Sequence, residues 1–217
     1  MKPTLTLLAG PNGAGKSYFS NFFVEAGFIS TLPINIDALE ERVDKSRLPD
    51  DAMRFERKLR EEIDKVFNEL CREAIDNKRD FAYECNLRLD QVYCVNSFEK
   101  AGYRINIIYI WLDSIEISEQ RVQVRVSEGG HLVGLESIKT NYYEGLKSFD
   151  SSVSEGNWDH VYLIDNSKDV KSKGDPLSLL LEMSDHQIVH CSDNFFASQR
   201  QKLLPGICNL IERKKTF

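Results

Sequence analysis

A chain of 217 residues, 41% hydrophobic and 29% charged, has the size of one domain with a substantial core. A net charge of -6 argues against broad binding to a phosphate backbone, so nucleic acid is an unlikely partner class on charge alone. Five cysteines (Cys71, Cys85, Cys94, Cys191, Cys208), odd in number and never spaced C-x-x-C, argue against a disulfide framework or a zinc site.

The cysteines read as reduced thiols in a cytoplasmic protein. The amino terminus runs into a glycine motif too soon for a signal peptide, and no apolar run approaches the roughly 20 residues of a membrane span. Neither repeats nor low-complexity linkers interrupt the chain, so one domain is expected.

The first predicted strand is "TLTLLA" at 4 to 9, followed by Gly10, Pro11, Asn12, Gly13, Ala14, Gly15, Lys16 and Ser17, and then by a helix carrying Tyr18, Phe19 and Phe22. This matches G-x-x-x-x-G-K-[ST] in the strand-to-helix context that a P-loop requires. Glycines let successive N–H groups converge on phosphate oxygens. Lys16 is then expected to reach the β and γ phosphates of ATP or GTP, and the Ser17 hydroxyl to ligate Mg²⁺. The D-E pair of motor ATPases is absent.

Further strands are expected at about 32 to 36, 81 to 85, 105 to 112 and 161 to 164. Between the second and third, Phe55, Leu59, Ile63, Val66, Phe67, Leu70 and Ala74 recur with helical period. Strands alternating with such helices imply an α/β fold: a five-stranded parallel sheet flanked by helices, with ligands at the carboxyl ends of the strands. Three acids fall at those ends. Asp37 is placed to accept the proton of an attacking hydroxyl, or to cap the next helix. Glu84 lies in an apolar run, where a carboxylate needs a partner; Arg88 is one choice and a bound substrate the other. Asp113 reads either as a magnesium-side acid or as the N-cap of a "DSIE" capping box.

"RVQVRVSEGGH" puts Arg121 and Arg125 on one face whether it forms a helix or a strand, and the flanking pattern favours a helix stopped at Gly129. His131 reads as a turn residue, a phosphate ligand or a lid hydrogen-bonder. In "DNS", Asn166 is either a base-contacting residue or part of an Asx turn. The segments "DPLSLLLEM" and "NFFASQRQKLLPGICNLIERKK" are expected to be C-terminal helices within 176 to 217.

Taken in order, "GPNGAGKS", "NID", "YECNLR", the segment from "GYRINIIYIWLD" to "SEGGH", and "VYLIDNS" resemble the zeta toxins and their chromosomal relatives, P-loop kinases of the nucleoside-monophosphate-kinase-like type. The resemblance spans residues 3 to 167. It implies a single kinase domain over 1–217, with a core at 1–167 and a lid at about 114–150. It implies ATP or GTP with Mg²⁺, and transfer to the 3'-hydroxyl of the amino sugar in UDP-N-acetylglucosamine. Asp37 matches the family's proton acceptor. Glu84, Asn86 and Arg88 match the segment that holds the UDP-sugar, with Cys85 and Asn86 where the family usually has glycine and threonine. Arg121 and Arg125 match cations of the lid, and Asn141 stands where relatives often have arginine. A protein antitoxin is the further partner that the resemblance implies. Two alternatives remain: a kinase for another metabolite or a nucleic-acid 5'-hydroxyl, and a nucleotide-binding or antitoxin-binding module without turnover.

Overall fold

The computed structural model describes residues 2–88, 92, 94–130, 133–168 and 177–215. Its strands are β1 (Thr4–Ala9), β2 (Ile34–Asn35), β3 (Phe81–Cys85), β4 (Arg104–Trp111), β5 (His160–Asp165), β6 (Ser178–Ser184) and β7 (Gln187–Cys191). The helices are α1 (Lys16–Glu25), α2 (Ala52–Asp76), α3 (Val95–Lys100), α4 (Ile115–Ser127), α5 (Leu135–Ser154), α6 (Ser198–Leu203) and α7 (Pro205–Lys215). All seven strands form one sheet in the order β2-β3-β1-β4-β5-β6-β7.

The α/β fold with a mostly parallel sheet is as expected, and β1 to β5 are the five expected strands. They pair in parallel, with β1 between β3 and β4. Leu5, Leu7, Leu8, Ile107, Ile108 and Ile110 are fully buried, because strands covered on both faces need apolar residues at consecutive positions. The helical face foreseen for α2 is present. Phe67, Cys71 and Ala74 bury it deeply, and Asp51 caps the helix by accepting the Arg54 N–H at 3.0 Å.

The expectation for residues 176 onward needs correction. "SLLLEMS" is strand β6, antiparallel to β5, and "QIVHC" is β7, so the sheet has two more strands than expected. A short apolar run has no period that separates strand from helix. The turn between the strands uses Asp185 and His186 at φ of 46° and 64°, so the usual glycine signal of a hairpin is missing. The second segment does form helices, α6 and α7. Asp150 of α5 accepts the N–H groups of Gly206 and Ile207 at 2.9 and 2.8 Å, which caps the start of α7.

No helix among the described residues is long and apolar enough to cross a membrane. All five cysteines are free thiols.

Candidate active site

The P-loop joins β1 to α1 at the carboxyl end of the sheet. Gly10 takes φ of 148°, and a Cβ there would lie 2.6 Å from the Ile110 carbonyl, so only glycine lets the loop leave the strand against β4. A cleft of about 440 Å³ opens over the loop. It is lined by residues 12 to 18 of the loop and α1, by Asn35 at the end of β2 and the following Ile36, by Glu84 and Cys85 of β3 and the following Asn86, and by Arg121 and Arg125 of α4.

The register of the sheet explains this meeting. Leu8 and Ala9 pair with Glu84 and Cys85, so the end of β3 arrives beside the loop. Lys16 Nζ donates to the carbonyls of Gly10 and Pro11 at 2.7 and 3.0 Å, and to Asn86 Oδ1 at 3.0 Å. The Ser17 hydroxyl donates to Glu84 Oε2 at 2.7 Å. Glu84 is only 8% exposed, and this bond meets part of a buried carboxylate's need for donors. Cys85 is buried, and burial pushes its thiol up to about 12, which favours the neutral form.

Beyond Asn86 the chain turns sharply. Leu87 is buried at φ of 61°, rare for a residue with a Cβ. Arg88 is directed toward α5 and is absent from the cleft lining, with Nη1 3.5 Å from Asn141 Oδ1 and Nε 3.9 Å from Glu144. Helix α5 comes this close because it carries Gly145, where a Cβ would lie 2.3 Å from the Asn86 carbonyl.

Arg121 and Arg125 share one face of a helix, which settles the choice between helix and strand. Gly129, at φ of 91°, ends it. Helix α4 is attached to the P-loop: Ser118 Oγ donates to the Asn12 carbonyl at 2.6 Å, and Arg121 donates to the carbonyls of Gly13 and Lys168 at 3.4 and 3.0 Å. His131 lies outside the described residues. Asp37 opens a 3-10 turn, Asp37–Arg42, directly after the cleft-lining Ile36; its side chain is likewise outside the described part.

Asp113 does not take the capping part considered for it, and Asn166 lies within the Asx turn. The capping box at Asp113 is not formed. Ser114 occupies the N-cap position, while Asp113 accepts the Trp111 indole N–H at 2.7 Å, half-exposed and outside the cleft. Asn166 is 6% exposed, and its Nδ2 donates to the Ala14 carbonyl at 2.9 Å, so its amide braces the P-loop from below. The Asx turn of "DNS" belongs to Asp165, which accepts the Ser167 N–H at 2.8 Å.

Sequence reasoning missed Ser118, the Asn12–Asn141 contact and Gly145. All three depend on which helix faces crowd the loop, and a single serine or glycine in a helix carries no signal of that.

No curated protein matches the chain significantly. The solved AvrRxo1-ORF1:-ORF2 complex with ATP is similar in fold at 12% identity and a TM-score of 0.65, covering 92% of this chain and 64% of that one. This chain thus spans somewhat under two thirds of that relative's length. The PezAT chromosomal toxin-antitoxin system of Streptococcus pneumoniae aligns over 97% of this chain and 88% of that one, at 14% identity and a TM-score of 0.57. The Pnkp1/Rnl/Hen1 RNA repair complex aligns over 69% of this chain and 46% of that one, at 18% identity and a TM-score of 0.53. A family model described as zeta toxin matches residues 1–172, and on that match the chain belongs to the zeta toxin family.

Proposed function

We propose that the chain is an ATP-dependent kinase that transfers a phosphoryl group to a hydroxyl of a small molecule, with UDP-N-acetylglucosamine as the acceptor. The observation that carries this reading is the contact of Lys16 and Ser17 with Asn86 and Glu84. The phosphate-binding residues and the acceptor segment share one cleft, which an enzyme joining two substrates needs.

In this reading the P-loop amides and the α1 amino terminus hold the phosphates, and Lys16 exchanges its loop carbonyls for β and γ oxygens. Arg121 and Arg125 lie on the wall of the same cleft, where cations stabilise charge that develops on the transferring group. Residues 114–150 serve as the lid that carries them. Asp37 accepts the hydroxyl proton, and Glu84 and Asn86 hold the acceptor.

The donor set also fits Mg²⁺. Because the Ser17 hydroxyl spends its proton on Glu84, its oxygen lone pairs remain for a cation, with the carboxylate close by. Ser17, backed by Glu84, would hold the ion, which supplies charge neutralisation to the β and γ phosphates. A protein antitoxin as partner is part of the same proposal, supported by the similarity to the PezAT system.

The test is transfer of radiolabel from γ-labelled ATP in the presence of UDP-N-acetylglucosamine, other sugar nucleotides, or a 5'-hydroxyl oligonucleotide. Label on UDP-N-acetylglucosamine, lost in Asp37→Asn, is the expected result. Label on the oligonucleotide alone would establish the nucleic-acid alternative, and tight ATP binding with no transfer to any acceptor would establish a binding module. Equal transfer by Asp37→Asn would remove Asp37 from its role as base.

A further inference from the structure

We propose that Asn141 is a positioning residue that fixes which end of the Asn12 side chain is presented to the nucleotide phosphates. The inference rests on the nucleotide-binding reading of the P-loop. Asn12 is the only residue of "GPNGAGKS" with a side-chain amide, and it lines the cleft. An amide has an acceptor end and a donor end of nearly the same shape, so its neighbours decide which way it lies.

Asn141 is 8% exposed on α5 and sits between two such neighbours. Arg88 has donors only, so its Nη1, 3.5 Å away, sets the Asn141 oxygen toward itself. The Asn141 nitrogen is thereby directed at the P-loop, where it donates to Asn12 Oδ1 at 2.8 Å. With its oxygen engaged by α5, the Asn12 amide has its Nδ2 end left for the cleft. A phosphate only accepts, so an N–H facing it attracts, whereas a carbonyl oxygen facing it repels.

The surroundings prevent the loop from evading this control. The Asn12 main-chain carbonyl is held by Ser118, and one turn along α5 Gly145 abuts the Asn86 carbonyl, so both walls are fixed in height. The donor-only character of Arg88 is in this way passed through two amides to the phosphate site. Asn141 acts here through Asn12.

Asn141→Asp keeps the shape and improves the pairing with Arg88, but offers Asn12 an acceptor. The Asn12 amide must then turn over and present its oxygen to the phosphates. The experiment is calorimetric titration of Mg-ADP into the unaltered chain, Asn141→Asp, Asn12→Ala and the double variant, with melting temperatures measured in parallel. Asn141→Asp is expected to weaken ADP binding about tenfold. In the Asn12→Ala background the same change is expected to cost clearly less, because no amide remains to turn, while any through-space charge effect persists.

Equal penalties in the two backgrounds would overturn the proposal, as would unchanged affinity in Asn141→Asp. Should that variant fail to fold, Asn141→Ala removes the donor without adding an acceptor, and is expected to give a smaller loss that again depends on Asn12; no loss there would overturn the proposal. Failure of the unaltered chain to bind ADP, ATP or GTP would instead overturn the nucleotide reading beneath it.

Discussion

The two sides of the sheet are held by different chemistry. Where β3 and β1 end, polar side chains meet over long sequence separations: Ser17 with Glu84, Lys16 with Asn86, and Asn12 with Asn141. At the β5-β6-β7 side, Leu180, Leu181, Met183, Ile207 and Ile211 are buried, with a few polar attachments such as Asp150 at α7. The first arrangement tolerates a buried carboxylate and the left-handed backbone of Leu87, features that cost stability and recur at functional sites. The second has little apparent chemistry and much buried apolar surface. One side of the molecule is thus arranged for binding, and the other supports it.

Substitutions can break or sharpen that contrast. Lys16→Ala is expected to reduce phosphoryl transfer by about a thousandfold or more with little change in melting temperature, since charge stabilisation at the transferring group is lost and no core contact is. A matching loss of stability would show instead that the polar side also holds the fold. Gly145→Val should cost about 2–3 kcal/mol in denaturant unfolding, because its Cβ would meet the Asn86 carbonyl and α5 must withdraw. It should impair transfer as well, since Asn86 moves with the clash.

On the supporting side, Asp150→Ala should cost about 1–2 kcal/mol by leaving two α7 N–H groups uncapped, with transfer retained. Arg200→Met tests a buried cation on the same side. Arg200 is 6% exposed, its Nε and Nη1 make no hydrogen bond, its Asp113 contact is 3.9 Å, and its guanidinium lies 5.8 Å from the Trp111 ring centroid. An apolar side chain of similar length should therefore change stability by less than about 1 kcal/mol, in either direction. A large loss would mean that the contact with Trp111 holds α6 in place. The smallest effect is expected from Lys58→Ala on α2, whose solvent-screened pairs with Glu61 and Glu62 should leave the denaturant midpoint essentially unchanged.

The P-loop and the parallel strands were legible because their signals are local. A G-x-x-x-x-G-K-S between an apolar strand and a helix states its own geometry, and strands buried on both faces must be apolar throughout. The two arginines of α4 were legible as a pair for the same reason: four residues apart, they share a face in helix and strand alike. The β6-β7 hairpin was not, since its apolar run has no distinctive period and its turn places Asp185 and His186, not glycine, at positive φ.

Asp113 shows the same limit at a single residue. An acid before a helix reads as a cap until a neighbouring indole takes its oxygen.

The sequence by itself determined the α/β class, the phosphate-binding loop and the family resemblance, because each is carried by residues close together in the chain. Tertiary structure alone decided that Asn141 meets Asn12, 129 residues away, and that Arg88 turns to α5. Hydrogen-bond polarity between distant side chains depends on which helix faces pack against which strand ends, and no local pattern encodes it.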